Sequence, residues 1–239
     1  MNPENPQTIA RVFGWLFIAT FVTSIPAYFI FYAPVRDTPS LITGTGADPT
    51  ASVALGAALE VFLIIANVGT AVVIYPILKR QSEIGAFGYV SARLVECIFT
   101  AIGIISLLAF LLMRQEGTAS DAALGQVFVA IHDRAFLIGP GFFAGVANGV
   151  ILGYLMYRSG LVPRGMAVLG LIAGPLVMAS GIAVMFDVAE RGGALQGIAT
   201  IPEGLWELSL SIYCIVKGFR PSPILAGVDG GPVARGAGS

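Results

Sequence analysis

The chain has 239 residues, 56% of them hydrophobic and only 11% charged, and a mean hydropathy of +0.85, against about 25% charged residues in an average soluble domain. That balance excludes an ordinary water-soluble domain and places the chain in a membrane. A net charge of −1, with 13 Lys and Arg scattered along the sequence, leaves no clustered basic surface and excludes a nucleic-acid partner.

Runs of about 20 apolar residues mark helices able to cross a bilayer, and the sequence predicts six of them. The first, Val12–Tyr32, is longer than the apolar core of a secretory signal and is closed by no small-x-small cleavage site, so it reads as a retained span. Ala33–Ser52, rich in Gly, Thr, Asp and Pro, follows as a long outer loop, either a lid or binding loop or a solvated spacer. The second span, Val53–Leu78, carries Glu60 and Asn67, and the third, Gly85–Met113, carries Arg93 and Glu96. The fourth, Val127–Tyr157, is too long for a simple crossing and contains Gly139-Pro140-Gly141. Pro140 removes a backbone hydrogen bond and crowds the preceding turn, which predicts a helix kinked or broken near Phe136–Leu137.

Gly141, Gly145, Gly149 and Gly153 recur every fourth residue on one face of that helix, and Gly170 and Gly174 repeat the spacing in the fifth span, Met166–Asp187. Small residues at this spacing predict a close contact between spans four and five. The sixth span, Leu195–Val216, carries Glu203 and Glu207. Beyond Pro221 the chain has little to bury, so residues 1–220 read as one six-helix transmembrane domain and residues 221–239 as a disordered cytoplasmic tail. Cys97 and Cys214 lie inside apolar segments, where a thiol behaves as a small hydrophobe, so no disulfide framework is expected.

An excess of Lys and Arg marks cytoplasmic loops. Arg11, Lys79, Arg80, Arg158, Arg164, Lys217, Arg220 and Arg235 fall on one side, while only Arg36, Arg114 and Arg191 fall on the other. Both termini are therefore expected in the cytoplasm.

Charges inside the spans are the strongest functional signal, because a central Arg or Asp costs about 2.5 to 3.5 kcal/mol to insert and normally faces a partner, a cavity or a substrate path. Counted at 1.5 Å per residue from the cytoplasmic ends, Asn67, Glu96 and Glu207 lie about 15 to 16 Å deep, Glu203 about 21 Å and Glu60 about 27 Å, a column on spans two, three and six. Arg93 and Glu96 share a face at i,i+3, as do Glu203 and Glu207 at i,i+4. Two such carboxylates rarely ionise together without a cation between them, so Glu60, Glu96, Glu203 and Glu207 form a candidate cation- or proton-binding set with Arg93 as charge partner. His132, Asp133, Glu60 and Glu203 supply nitrogen and oxygen donors of the kind that hold Zn²⁺ or Mn²⁺, although no short-range ligand spacing joins them. Set against Arg93 and Arg134, the embedded acids Glu60, Glu96, Asp133, Glu203 and Glu207 leave an excess of negative charge that calls for protons or a bound cation.

Several stretches carry a family resemblance: Asn67-Val68-Gly69-Thr70 running to Tyr75-Pro76, Gly88-Tyr89-Val90 with Ala92-Arg93 and Glu96, and His132-Asp133. Gly139-Pro140-Gly141, Val162-Pro163-Arg164, Trp206-Glu207-Leu208 and Val216-Lys217-Gly218-Phe219 complete it. On these the chain resembles, over about residues 8 to 219, the bacterial membrane proteins grouped as domain of unknown function 4386. The resemblance implies a six-span helical protein and lends no catalytic residues.

The expectation is an all-α polytopic bundle of six transmembrane helices in a bacterial inner membrane, with both termini cytoplasmic. The leading function is a small cation- or proton-linked carrier or sensor. The alternatives are an intramembrane hydrolase acting on a lipid-like substrate through a divalent metal ion at His132, Asp133, Glu60 and Glu203, with Glu207 as general base, and a non-catalytic scaffold subunit.

Overall fold

The computed structural model describes residues 5–37, 48–115 and 122–226, and among these every regular element is helical. Helix α1 (Pro6–Pro26) starts where the Asn5 side chain accepts the Gln7 N–H at 2.8 Å and Pro6 occupies the first turn, where a missing N–H costs nothing. Pro26 cannot bond back along the helix, and the winding widens there into a π turn, Ala27–Phe31, before the short α2 (Ala33–Asp37). Helix α3 (Thr50–Leu78) is entered through Asp48, whose carboxylate accepts the Thr50 N–H and hydroxyl, and α4 (Glu83–Gln115) through the Ser82 hydroxyl, which accepts the Gly85 N–H.

The expected interruption at Gly139-Pro140-Gly141 is a change of winding rather than an end of the helix. Helix α5 (Ala122–Ile138) passes through π turns at Gly139–Phe143 and Gly145–Leu152 and continues as α6 (Gly153–Ser159). An i→i+5 winding tolerates a residue without an N–H by shifting its neighbours' bonds, so the helical hydrogen bonding continues past Pro140. Gly160, at φ +68, closes α6 in a left-handed conformation that a side chain would resist. Helices α7 (Arg164–Met185) and α8 (Ala194–Val216) complete the bundle.

Neighbours in sequence are neighbours in space. Helix α1 packs on α3, α3 on α4, α4 on α5, the second π segment on α7, and α7 on α8, and α8 closes the ring against α1. The close contact expected between spans four and five is present: methyl groups at Gly145 or Gly149 would run into the backbone of Gly174. At the end where α1 begins and α8 finishes, called the terminal end below, Gln7 clasps the chain after α8, donating from Nε2 to the Phe219 carbonyl at 2.9 Å and accepting the Phe219 N–H at 3.0 Å. Residues 221–226, assigned from sequence to the disordered tail, fold back instead: Ser222 Oγ donates to the Ser159 carbonyl, and Leu225, in a 3₁₀ turn, is buried. The rest of that tail, 227–239, lies outside the described residues, as do residues 38–47 of the outer loop.

Among the described residues five helices are long and apolar enough to cross a membrane: Pro6–Phe31, Thr50–Leu78, Glu83–Gln115, Ala123–Ser159 and Arg164–Met185. Their outward faces are apolar, with Phe29, Phe62, Ile65, Ile98, Ile105 and Ile172 all exposed, an arrangement suited to a lipid bilayer and costly in water. Helix α8, the sixth expected span, is not among the five; Pro202, Glu203 and Glu207 lower its apolarity.

Two apolar clusters fill the bundle. One, at the terminal end, gathers Phe13, Phe17, Ile74, Tyr89, Leu152 and Trp206, while the other, at the far end, gathers Tyr32, Val53, Leu107, Phe110 and Val129. Along α3 and α4 the buried polar residues Glu60, Asn67, Thr70, Arg93, Glu96 and Thr100 fall between the two.

Candidate functional site

Arg93 is the one buried cation among the described residues, 2% exposed, and α4 places it one turn from Glu96. Its Nη1 donates to Glu96 Oε2 at 2.7 Å, and its Nη2 donates to Asn67 Oδ1 and, at 3.4 Å, to Thr70 Oγ1. Asn67 returns a hydrogen bond from Nδ2 to Glu96 Oε1 at 3.1 Å, so both Glu96 oxygens are held. The guanidinium carbon lies 5.6 Å from the centre of the Phe17 ring, which closes the site from α1.

Asn148, in the second π segment, organises the adjoining network. It accepts the Tyr89 hydroxyl at 3.3 Å on Oδ1 and donates from Nδ2 to Glu207 Oε1 at 2.5 Å. Its carbonyl takes both the Gly153 N–H, five residues on, and the Trp206 indole N–H at 3.0 Å. A carbonyl has two lone pairs, and here the π winding presents one of them to α8.

Glu203, one turn before Glu207, is different. It is 4% exposed, and neither carboxylate oxygen has a hydrogen-bond partner. It sits against the glycine crossing, where a methyl group on Gly149 would come within 2.9 Å of its Oε2. The stripe read from sequence as packing also makes room for this side chain.

Toward the far end a separate chain of contacts holds the remaining candidates. Glu60 Oε2 accepts the Tyr32 hydroxyl at 2.9 Å, and the Tyr32 ring meets the buried His132 ring edge-on with centroids 5.0 Å apart. His132 Nδ1 lies 3.3 Å from Asp133 Oδ1, and Asp133 is ion-paired with Arg191. Asp133, Arg134, Asp187, Glu190 and Arg191 line a cleft of about 610 Å³. Arg134, counted from sequence among the embedded charges, is exposed.

The candidates therefore fall into two groups. Arg93, Glu96, Glu203 and Glu207 lie near one another, whereas Glu60, His132 and Asp133 are tied to Tyr32 and Arg191. The four donors considered for a metal are not gathered: among the described residues no three His, Cys, Asp or Glu side chains come together in a metal-binding group. Tyr32 and Asn148 are central to the two networks and were not singled out from sequence. An amide inside an otherwise apolar run was a usable signal for Asn148; Tyr32 read only as an aromatic at a helix end.

A family model described as domain of unknown function (DUF4386) matches residues 12–218. The chain belongs to the DUF4386 family. The match takes in every residue of both polar groups and stops just after α8, short of the Phe219–Leu225 segment. No curated protein and no solved structure matches this DUF4386 chain.

Proposed function

We propose that this DUF4386 protein crosses a bacterial inner membrane six times, with both termini cytoplasmic, and that its buried acidic cluster binds protons or a small cation as part of a carrier or sensor. Helix α8 suits a sixth crossing despite its two glutamates. Ile198, Ile201, Leu205, Leu208 and Ile212 form an exposed apolar stripe at helical spacing, while Glu203, Trp206, Leu210 and Cys214 turn inward. A sixth span also agrees with the clasp between Gln7, at the start of α1, and Phe219, after α8, and with the excess of Lys and Arg on that side.

The observation that carries the functional reading is the buried charge imbalance. Glu60, Glu96 and Glu203 are buried and Glu207 is partly buried, while among the described residues Arg93 is the only buried cation, and it is committed to Glu96. Ionised carboxylates left over in a bundle interior cost several kcal/mol each unless a proton or cation joins them. A scaffold would have little reason to keep them, since apolar residues of similar volume serve packing better.

The test is flux across proteoliposomes under an imposed pH or cation gradient, followed with an internal indicator dye. Wild type is expected to dissipate the gradient faster than empty vesicles, and Glu207→Gln to lose that activity while staying folded. Unchanged flux in Glu207→Gln, with only a lowered melting temperature, would favour the scaffold.

A further inference from the structure

We propose that Glu203 is a proton-binding site, held as a neutral carboxylic acid where α8 meets the Gly149 and Gly174 crossing; this deepens the reading above by naming the proton as the ligand of that carboxyl. Both oxygens are buried without a hydrogen-bond donor, and the whole residue is 4% exposed. Its neighbours on one side are glycine backbone, packed so tightly that one added methyl group would come within 2.9 Å of Oε2 and collide with Gly174. A metal ion there would need several further oxygen or nitrogen ligands, and no third such side chain gathers with this one among the described residues. A proton needs neither space nor a ligand shell.

On α8 itself Glu207 is the next carboxylate on the same face, partly buried and held by Asn148. From α4, Arg93 and Glu96 act on Glu203 electrostatically, with opposite signs, and Arg93 directs Nη1 and Nη2 to Glu96, Asn67 and Thr70. Of charged or titratable groups, helices α1 and α7, which flank α8, contain only Arg11, in the second turn of α1, and Arg164, in the first turn of α7, and the Gly145–Leu152 segment contains none. Among the described residues no cation is therefore left to pair with a Glu203 carboxylate, and a bound proton removes the charge that would otherwise be buried alone. Glu207, four residues on and less buried, is the nearest carboxylate on that face through which the proton can exchange.

The experiment is infrared difference spectroscopy of the full-length protein in lipid bilayers, titrated from neutral to alkaline pH. The expected result is the carbonyl stretch of a protonated carboxylic acid in the wild type at neutral pH, absent from Glu203→Gln and retained in Glu207→Gln. Glu203→Asp serves if the glutamine variant does not fold, and is expected to shift the band. No such band in the wild type, or a band unchanged in whichever of the two Glu203 variants folds, overturns the assignment. Loss of the band at fixed pH on adding Na⁺, Mn²⁺ or Zn²⁺ also overturns it, because a metal would then be displacing the proton. A Glu203-dependent band in a protein that gives no flux in proteoliposomes supports the proton site and defeats the carrier reading, so the two fail separately.

Discussion

Replacing Arg93 by methionine keeps most of the side-chain volume and removes the charge. The Glu96 Oε2 loses its 2.7 Å donor, and Asn67 Oδ1 loses the guanidinium as well. Removing one partner of a buried ion pair costs about 3 to 5 kcal/mol, because the other charge is left without compensation. Adding Glu96→Leu removes that stranded carboxylate, and what remains is the orphaned Asn67 amide, its oxygen without the guanidinium and its N–H without Glu96 Oε1, each worth about 1 to 3 kcal/mol. Glu96→Leu alone strands the guanidinium at a similar cost, so the two single losses should sum to about 6 to 10 kcal/mol, and the double variant is expected to fall short of that sum by about 4 kcal/mol. Reversible unfolding in bicelles, followed by circular dichroism on the wild type, both single variants and the double, closes the cycle. If the two losses add to within about 0.5 kcal/mol, the contact does not exist in the folded protein and the account of the inner cluster is wrong.

Gly149→Ala should destabilise by about 1 to 3 kcal/mol through overpacking at the Gly174 crossing, whereas Gly204→Ala, with nothing within 4 Å of the added methyl, should be neutral or gain up to about 1 kcal/mol; equal effects at the two sites in thermal unfolding would refute the crossing. Tyr32→Phe takes the hydrogen-bond donor from Glu60 and should cost about 1 to 3 kcal/mol, most of it recovered by adding Glu60→Leu, and a neutral Tyr32→Phe would show that the far-end contact is absent. Asp48, at the entrance to α3, accepts two hydrogen bonds from Thr50, which hold its carboxyl below the usual range. A carboxyl lowered in the folded state supports the helix above its unfolded pKa and loses that support as pH falls through the folded one, so amide protection of the first turn of α3 should drop on acidification in the wild type and stay level in Asp48→Asn.

Spans and glycine spacing were legible because the bilayer and close helix packing each impose a rule on sequence: long apolar runs at Thr50–Leu78 and Glu83–Gln115, and small residues wherever two backbones meet, as at Gly149 and Gly174. The partners of the polar residues were less legible. Periodicity set Arg93 one turn from Glu96, but nothing local told that Asn67 from another helix would share the same guanidinium. Glu203 and Glu207 share a helical face yet differ in surroundings, since one reaches Asn148 and the other faces glycine. That difference depends on the π winding at Gly145–Leu152, which hydrophobic patterning does not encode. Nor did patterning tell that His132, read as a donor beside Asp133, Glu60 and Glu203, would lie between Tyr32 and Asp133.

The central claim, that the buried carboxylates bind protons or a small cation, is tested most directly by electrical recording on solid-supported membranes carrying the full-length protein. A rapid jump in pH or cation concentration should produce a transient charge displacement in the wild type, whether the protein carries or only senses the ion, and Glu203→Gln combined with Glu207→Gln should abolish it. A wild-type response indistinguishable from that of the folded double variant, or from protein-free membranes, would contradict the claim.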